Sequence, residues 1–169
     1  MDWPADKVRK RAVSSLVPSA KNARTHTELQ ISQIAASITE WGWTMPILVD
    51  EDGGIIAGHG RIMAAELLGL DKVPTMVANG WSEAQKRAYV IADNKLALNA
   101  GWDMDILATE FVALDGADFD LKLTGFDDLE IKNLRNIDPI APEQFPEFDE
   151  SIPTEHTCPK CGYKWSGGA

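Results

Sequence analysis

The sequence predicts an α/β fold: a small mixed sheet with helices, followed by a helical extension. Three observations predict it. Short apolar strands alternate with segments of helical period between residues 27 and 95. Three of the helical segments open on Thr, Ser or Asp with a Gln or Glu three residues later. Gly or Pro punctuates the junctions between them. The chain has 169 residues, enough for one globular domain with a tail and too few for two full domains.

Ile31, Ile34, Ala35, Ile38 and Trp41 recur on one face and mark a helix over 27–40, opened by Thr27 with Gln30 and stopped by Gly42. Residues 46–49 form a short buried strand, 50–54 a turn, and 55–57 a second strand that pairs back. After Gly58-His59-Gly60 a second helix runs over 61–68, ended by Gly69. Residues 73–77 are a third strand, which Pro74 places near a sheet edge or a strand start. Ser82 with Gln85 opens a third helix reaching residue 95. Asp103 caps a fourth, carrying Ile106, Leu107, Glu110, Phe111 and Leu114. Asp127 with Glu130 opens a short fifth, to residue 134. Beyond it, four prolines, several acids and little periodicity read as a linker.

The organisation is therefore a basic N-terminal arm over 1–12, a core over 13–99, a helical extension over 100–135, an acidic Pro-rich linker over 136–155 and a tail over 156–169. Six basic residues and no acidic one lie within 7–24; fifteen acidic and three basic residues lie within 103–155. The net charge of −10 argues against coating of nucleic acid by the whole surface, whereas the basic head suits contact with phosphates. No apolar run approaches the roughly 18 residues a membrane helix needs, and the start lacks the apolar centre of a signal peptide, so a cytoplasmic protein is expected.

The segment richest in chemistry is Gly58-His59-Gly60-Arg61. A strand runs into a Gly-X-Gly turn and a helix begins at once. The first N–H groups of that helix lack intrahelical partners and the helix dipole favours an anion there. Glycines allow close backbone approach, Arg61 offers a two-pronged donor, and the His59 imidazole can donate to the same anion or move a proton. Taken alone, the same pattern is also ordinary turn geometry.

Taken in order, Asn22-Ala23-Arg24, the helix over 27–40, Gly42, Pro46-Ile47-Leu48-Val49, Gly58-His59-Gly60-Arg61-Ile62-Met63-Ala64-Ala65, Gly69 and Val73-Pro74 resemble the ParB/sulfiredoxin superfamily, also called the ParB-like nuclease domain. The resemblance spans 13–99. The stretch from Ala92-Asp93-Asn94 to Gly101-Trp102-Asp103, then Leu123-Thr124-Gly125-Phe126, is similar to the branch found with phage-type DNA methyltransferases. The resemblance implies a site for CTP or ATP. Gly58, His59, Gly60 and Arg61 match the triphosphate turn, Arg24 the first-motif arginine, and Asp93-Asn94 the acid–Asn pair, with Asp93 taking a phosphate-bridging Mg²⁺. His59, Glu40 and Asp93 are the candidate bases, although Glu40 and Glu28 also read as part of a solvated helix face. Read without the resemblance, Asp93-Asn94 is a cap or turn near a helix end.

Two departures matter. Segregation proteins carry two successive arginines where this chain has Gly60-Arg61, so one phosphate clamp is missing. Sulfiredoxins carry a catalytic Cys where this chain has Gly58, which rules out sulfinic-acid repair.

His156, Cys158 and Cys161 resemble one knuckle of a zinc ribbon. Four ligands make a complete site, so the half-site implies either Zn²⁺ shared between two chains, as in a homodimer, or a knuckle without metal. Trp41, Trp43 and Trp81 border the expected sheet and read as core aromatics. A helix-turn-helix signal after the core is not recognisable.

The function expected is that of a nucleotide-binding ParB-like protein acting on or near DNA, accessory to modification, packaging or partition in a phage or mobile element. DNA is met by the basic arm; a methyltransferase or other phage protein is a further partner. The alternatives are an enzyme of the same fold (a CTPase, a free-serine-like phosphotransferase or a metal-dependent DNA nuclease) and an adaptor without catalysis.

Overall fold

Val8–Ala12 forms the first strand, β1, and carries the consecutive basic residues Arg9, Lys10 and Arg11. The computed structural model describes residues 4–20, 22–137, 156–157, 159–162 and 164–165. A 3-10 turn, Val13–Ser15, leads to helix α1, Glu28–Trp41, whose first turn is closed by the Thr27 hydroxyl accepting from the Gln30 N–H. Strands β2, Ile47–Val49, and β3, Ile55–Ala57, follow, then α2, His59–Leu67, and β4, Lys72–Val77. Helix α3, Glu83–Leu98, opens on a complete Ser82–Gln85 capping box. Helix α4, Met104–Gly116, opens on Asp103, and α5, Asp128–Arg135, on an Asp127–Glu130 box.

Four strands make one mixed sheet in the order β1-β4-β2-β3. β1 runs antiparallel to β4 with Lys10 opposite Pro74, and β2 runs parallel to β4 with Ile47 opposite Thr75. One expectation fails here. The segment read as an arm over 1–12 is in part an edge strand, because Val8–Ala12 finds the open side of β4. β4 is an inner strand, so of the two places expected for Pro74 it takes the strand start and not the sheet edge. β2 pairs with it only from Thr75 onward, so the residue that cannot donate lies beyond that ladder.

Helices cover both faces of the sheet. Leu16, Ile47, Val49, Ile55, Ile62, Ala65 and Val73 form one core beneath α2. Ile56 points the other way and packs with Ala78 and Val90 of α3. This two-sided burial explains why β2 and β3 read as continuous apolar runs instead of alternating ones. A separate cluster of Leu107, Phe111, Leu121, Ile131 and Leu134 holds α4, a 3-10 turn at Leu121–Thr124 and α5 together. The two parts touch where the Gln33 side chain donates to the Gly125 carbonyl, at 3.3 Å, and where Trp41 stacks on Phe119. Among the described residues no helix is long and apolar enough to cross a membrane.

Candidate functional site

β3 delivers the chain straight into the start of α2 through Gly58, whose φ of 101° is left-handed. A β-carbon there would lie 2.8 Å from Ile47 Cδ1 and 3.0 Å from Arg61 Nη2. The turn therefore requires a residue without a side chain, and the space is filled by the Arg61 guanidinium folding back over it. The first N–H groups of α2 point out of the same end.

A cavity of about 230 Å³ opens at this helix start. Its walls come from Asn22, Arg24 and His26 before α1, from Ile34 of α1, from the 58–61 turn, and from Asp93 and Asn94 of α3. The sequence-predicted residues Arg24, Gly58, His59, Gly60, Arg61, Asp93 and Asn94 thus meet in one place. The Arg24 backbone is held there by the Asn22 side chain: Asn22 Oδ1 accepts from the Arg24 N–H at 3.1 Å, and Asn22 Nδ2 donates to the Arg24 carbonyl at 3.2 Å.

His59 is buried, and its Nε2 accepts the Ser19 backbone N–H at 3.3 Å. Since that N–H can only donate, the neutral ring carries its proton on Nδ1. Burial, aided by the His26 imidazole, holds the His59 pKa below the ordinary value. In this state neither ring nitrogen is a free acceptor, so His59 is better placed to donate than to act as a base.

Arg61 is half-buried. Burial lowers its pKa and Asp93 works against that, while a guanidinium stays charged in either case. Asp93 is exposed and hydrogen-bonds Tyr89 one turn earlier, and burial, then Asp93, raises the Tyr89 pKa. The Asn94 amide donates to the Val90 carbonyl at 2.8 Å, leaving its own oxygen for the cavity. Both residues sit inside α3, which continues to Leu98, so the pair is neither a cap nor a turn.

Two candidates are not brought to the cavity. Glu28 and Glu40 lie at the ends of α1, exposed and outside the lining; Glu40 is about 9 Å beyond Ile34 along the helix axis at 1.5 Å per residue. One lining residue escapes the sequence reading. His26 lines the cavity, its Nδ1 2.9 Å from Gln30 Oε1. Its signal was its place two residues after Arg24 and just before the Thr27 cap.

A larger hollow of about 530 Å³ shares Arg61 and Ile34 with the first and runs past Trp41 and Trp43 to Leu123 and Gly125. Trp41 is 49% exposed, a rim residue and not the core aromatic expected, whereas Trp43 and Trp81 pack against the sheet's two apolar clusters; Trp102, 67% exposed, rests on Phe126. In the tail, strands β5, His156–Thr157, and β6, Lys164–Trp165, pair antiparallel around the Cys segment. Cys158 lies outside the described residues, and Cys161 is exposed. No group of three His, Cys, Asp or Glu side chains able to hold a metal occurs among the described residues.

The chain matches the ParB N-terminal domain over residues 2–94 and the ParB-methyltransferase HTH domain over residues 105–159. The second match overturns the expectation that a helix-turn-helix is missing. It covers α4, the 3-10 turn and α5, whose nine acidic residues against three basic ones over 103–137 disguise it. The ParB-like nuclease domain-containing protein YnaK of Escherichia coli is 51% identical over 81 residues, 48% of this chain and 93% of that protein. The C-terminally truncated chromosome-partitioning protein ParB of Caulobacter crescentus, in complex with CTP-gamma-S, superposes with a TM-score of 0.62 at 23% identity, over 76% of this chain and 77% of that one. Sulfiredoxin of Arabidopsis thaliana aligns with 50% of this chain and 98% of its own at 20% identity and a TM-score of 0.43, so the fold assignment rests on the ParB likeness. With more than half of its residues matched, the chain belongs to the ParB N-terminal domain family.

Proposed function

We propose that this chain binds a nucleoside triphosphate, CTP or ATP, in the cavity at the start of α2 and works on or near DNA as an accessory of modification, packaging or partition in a phage or mobile element. One observation carries the reading: the Arg61 guanidinium is held over an open helix N-terminus, in a cavity it shares with Arg24 and Asp93. Unpaired amides and two guanidiniums suit a polyphosphate. Asp93 supplies the single carboxylate with which Mg²⁺ is commonly held against phosphate oxygens. The crystallised Caulobacter crescentus relative, bound to CTP-gamma-S, agrees with this choice of ligand.

DNA is met by the basic strand β1 and the Lys7 before it: Lys7, Arg9 and Arg11 line a groove of about 300 Å³, which Asp6 and Glu51 also border. The helix-turn-helix match supports the DNA reading, although the acidic surface of 103–137 works against close contact with phosphates there. A nuclease is less well supported, because one carboxylate in the cavity falls short of the cluster that metal-assisted phosphodiester hydrolysis uses. Zinc at Cys158, Cys161 and His156 is part of the proposal for the tail, to be settled by metal analysis of the purified chain.

The test is thermal. A triphosphate with Mg²⁺ at a hundred times its dissociation constant stabilises the fold by about 2.7 kcal/mol. Arg61→Ala is expected to abolish the shift, and the absence of a shift with every ribonucleoside triphosphate would end the proposal.

A further inference from the structure

We infer that His26 is a further phosphate-holding side chain of this cavity, beside Arg24 and Arg61, occupying the space that Gly60 leaves open; the inference rests on the nucleotide reading above. Gly60 is the second residue of α2, where a side chain would project beside the incoming anion. A β-carbon at Gly60 would lie 3.0 Å from His26 Cε1 and 3.2 Å from His26 Nδ1. The imidazole therefore stands over the open end of α2, brought there from a segment more than thirty residues earlier.

The ring is oriented. Its Nδ1 is 2.9 Å from Gln30 Oε1, one turn into α1, and the Thr27 cap fixes the backbone between the two. Nε2 has no hydrogen-bond partner among the described residues, and no unpartnered side-chain nitrogen or oxygen there is sealed from solvent. With Nδ1–H given to Gln30 Oε1, which only accepts, Nε2 donates once the ring carries a second proton. His26 thus meets the anion as the imidazolium, tethered on one side and open on the other, in a cavity with Arg24 and Arg61. His59 is the contrasting case: its Nε2 is already engaged by the Ser19 N–H, so that nitrogen cannot serve. Gly60 is thus not simply a lost clamp. Any larger residue there must displace His26 or the end of Ile34, whose Cδ1 is also 3.0 Å from the β-carbon position.

The experiment is calorimetric titration of the full chain with Mg²⁺–CTP, Mg²⁺–ATP and inorganic tripolyphosphate, on wild type, His26→Ala, Gly60→Arg and the double variant. His26→Ala is expected to weaken triphosphate binding about tenfold, the scale of one charge-assisted hydrogen bond. Gly60→Arg alone is expected to weaken it as well, because the new side chain and the imidazole compete for one space. The double variant is expected to regain affinity, a coupling that two independent losses would not give. Should His26→Ala fold poorly, side-chain nitrogen NMR on wild type decides: tripolyphosphate is expected to move the His26 Nε2 resonance. Wild-type binding with an unchanged His26→Ala affinity, or an unmoved His26 resonance at saturation, overturns the inference and leaves the nucleotide reading standing. A wild-type chain that binds none of the three probes removes both.

Discussion

The Arg61 guanidinium lies across Gly58, with Nη2 3.0 Å from where a β-carbon at Gly58 would sit. The glycine and the arginine are therefore one device: the missing side chain is what allows the guanidinium to turn back over the start of its own helix. Gly58→Ala is expected to cost about 2–4 kcal/mol, from a left-handed backbone and the contact with Ile47, and to push Arg61 out of the cavity. Denaturant titration reads the first effect. Loss of the triphosphate-induced rise in Tm reads the second.

Arg61→Lys keeps the charge but replaces a planar fork with a point donor on a flexible stem. Triphosphate affinity is expected to fall about tenfold while stability without ligand barely changes. Calorimetry with Mg²⁺–CTP and Mg²⁺–ATP checks it, and an affinity equal to wild type would show that Arg61 does not grip the ligand bidentately.

Asp50 closes the turn between β2 and β3 by accepting the Gly54 N–H at 2.6 Å, and ties it to α3 through Lys86 Nζ at 3.1 Å. Burial acts to raise its pKa, but the hydrogen bonds from Gly54 and Lys86 outweigh it and hold the carboxyl below the ordinary 3.8. A depressed folded pKa means that the unfolded chain takes up the proton first. Its contribution is thus complete above the ordinary value and lost as pH falls below it. Acid titrations of wild type and Asp50→Asn should show a stability gap that closes below about pH 4.

His59 behaves similarly in a higher window. Burial, then the neighbouring His26, depresses its folded pKa below 6.5, so the unfolded state binds more protons as pH drops under that value. Stability is expected to decline as pH falls below about 6.5 in wild type, and less steeply in His59→Gln. Matching slopes in the two proteins would mean that the ring is not held neutral.

Phe111 belongs to the second cluster, against Phe126 at 5.2 Å and apart from the sheet core. Phe111→Ala is expected to cost about 3–5 kcal/mol. The loss should be local: hydrogen exchange is expected to rise through α4 and α5 while the sheet amides stay protected. Uniform loss of protection would instead show a single cooperative unit.

Most local structure was legible in the sequence. Thr27, Ser82, Asp103 and Asp127 each cap the helix expected of them, since capping depends on residues three apart and needs no distant partner. The Gly58–Arg61 turn was legible for the same reason. The helix-turn-helix was not, because its acidic surface masks the basic pattern by which such modules are commonly read.

The chain's own order of residues determined its helices, its short strands and the Gly58–Arg61 turn, all of which arise from contacts within a few positions. Only the tertiary structure decided that a basic segment closes the sheet as β1, that β4 lies inside it despite Pro74, and that Glu40 stays away from the cavity. It alone set His26 over Gly60 and engaged His59 with Ser19, forty positions earlier. The reason is physical: these relations join segments far apart in sequence, and their geometry is fixed by how helices and strands pack around shared apolar cores.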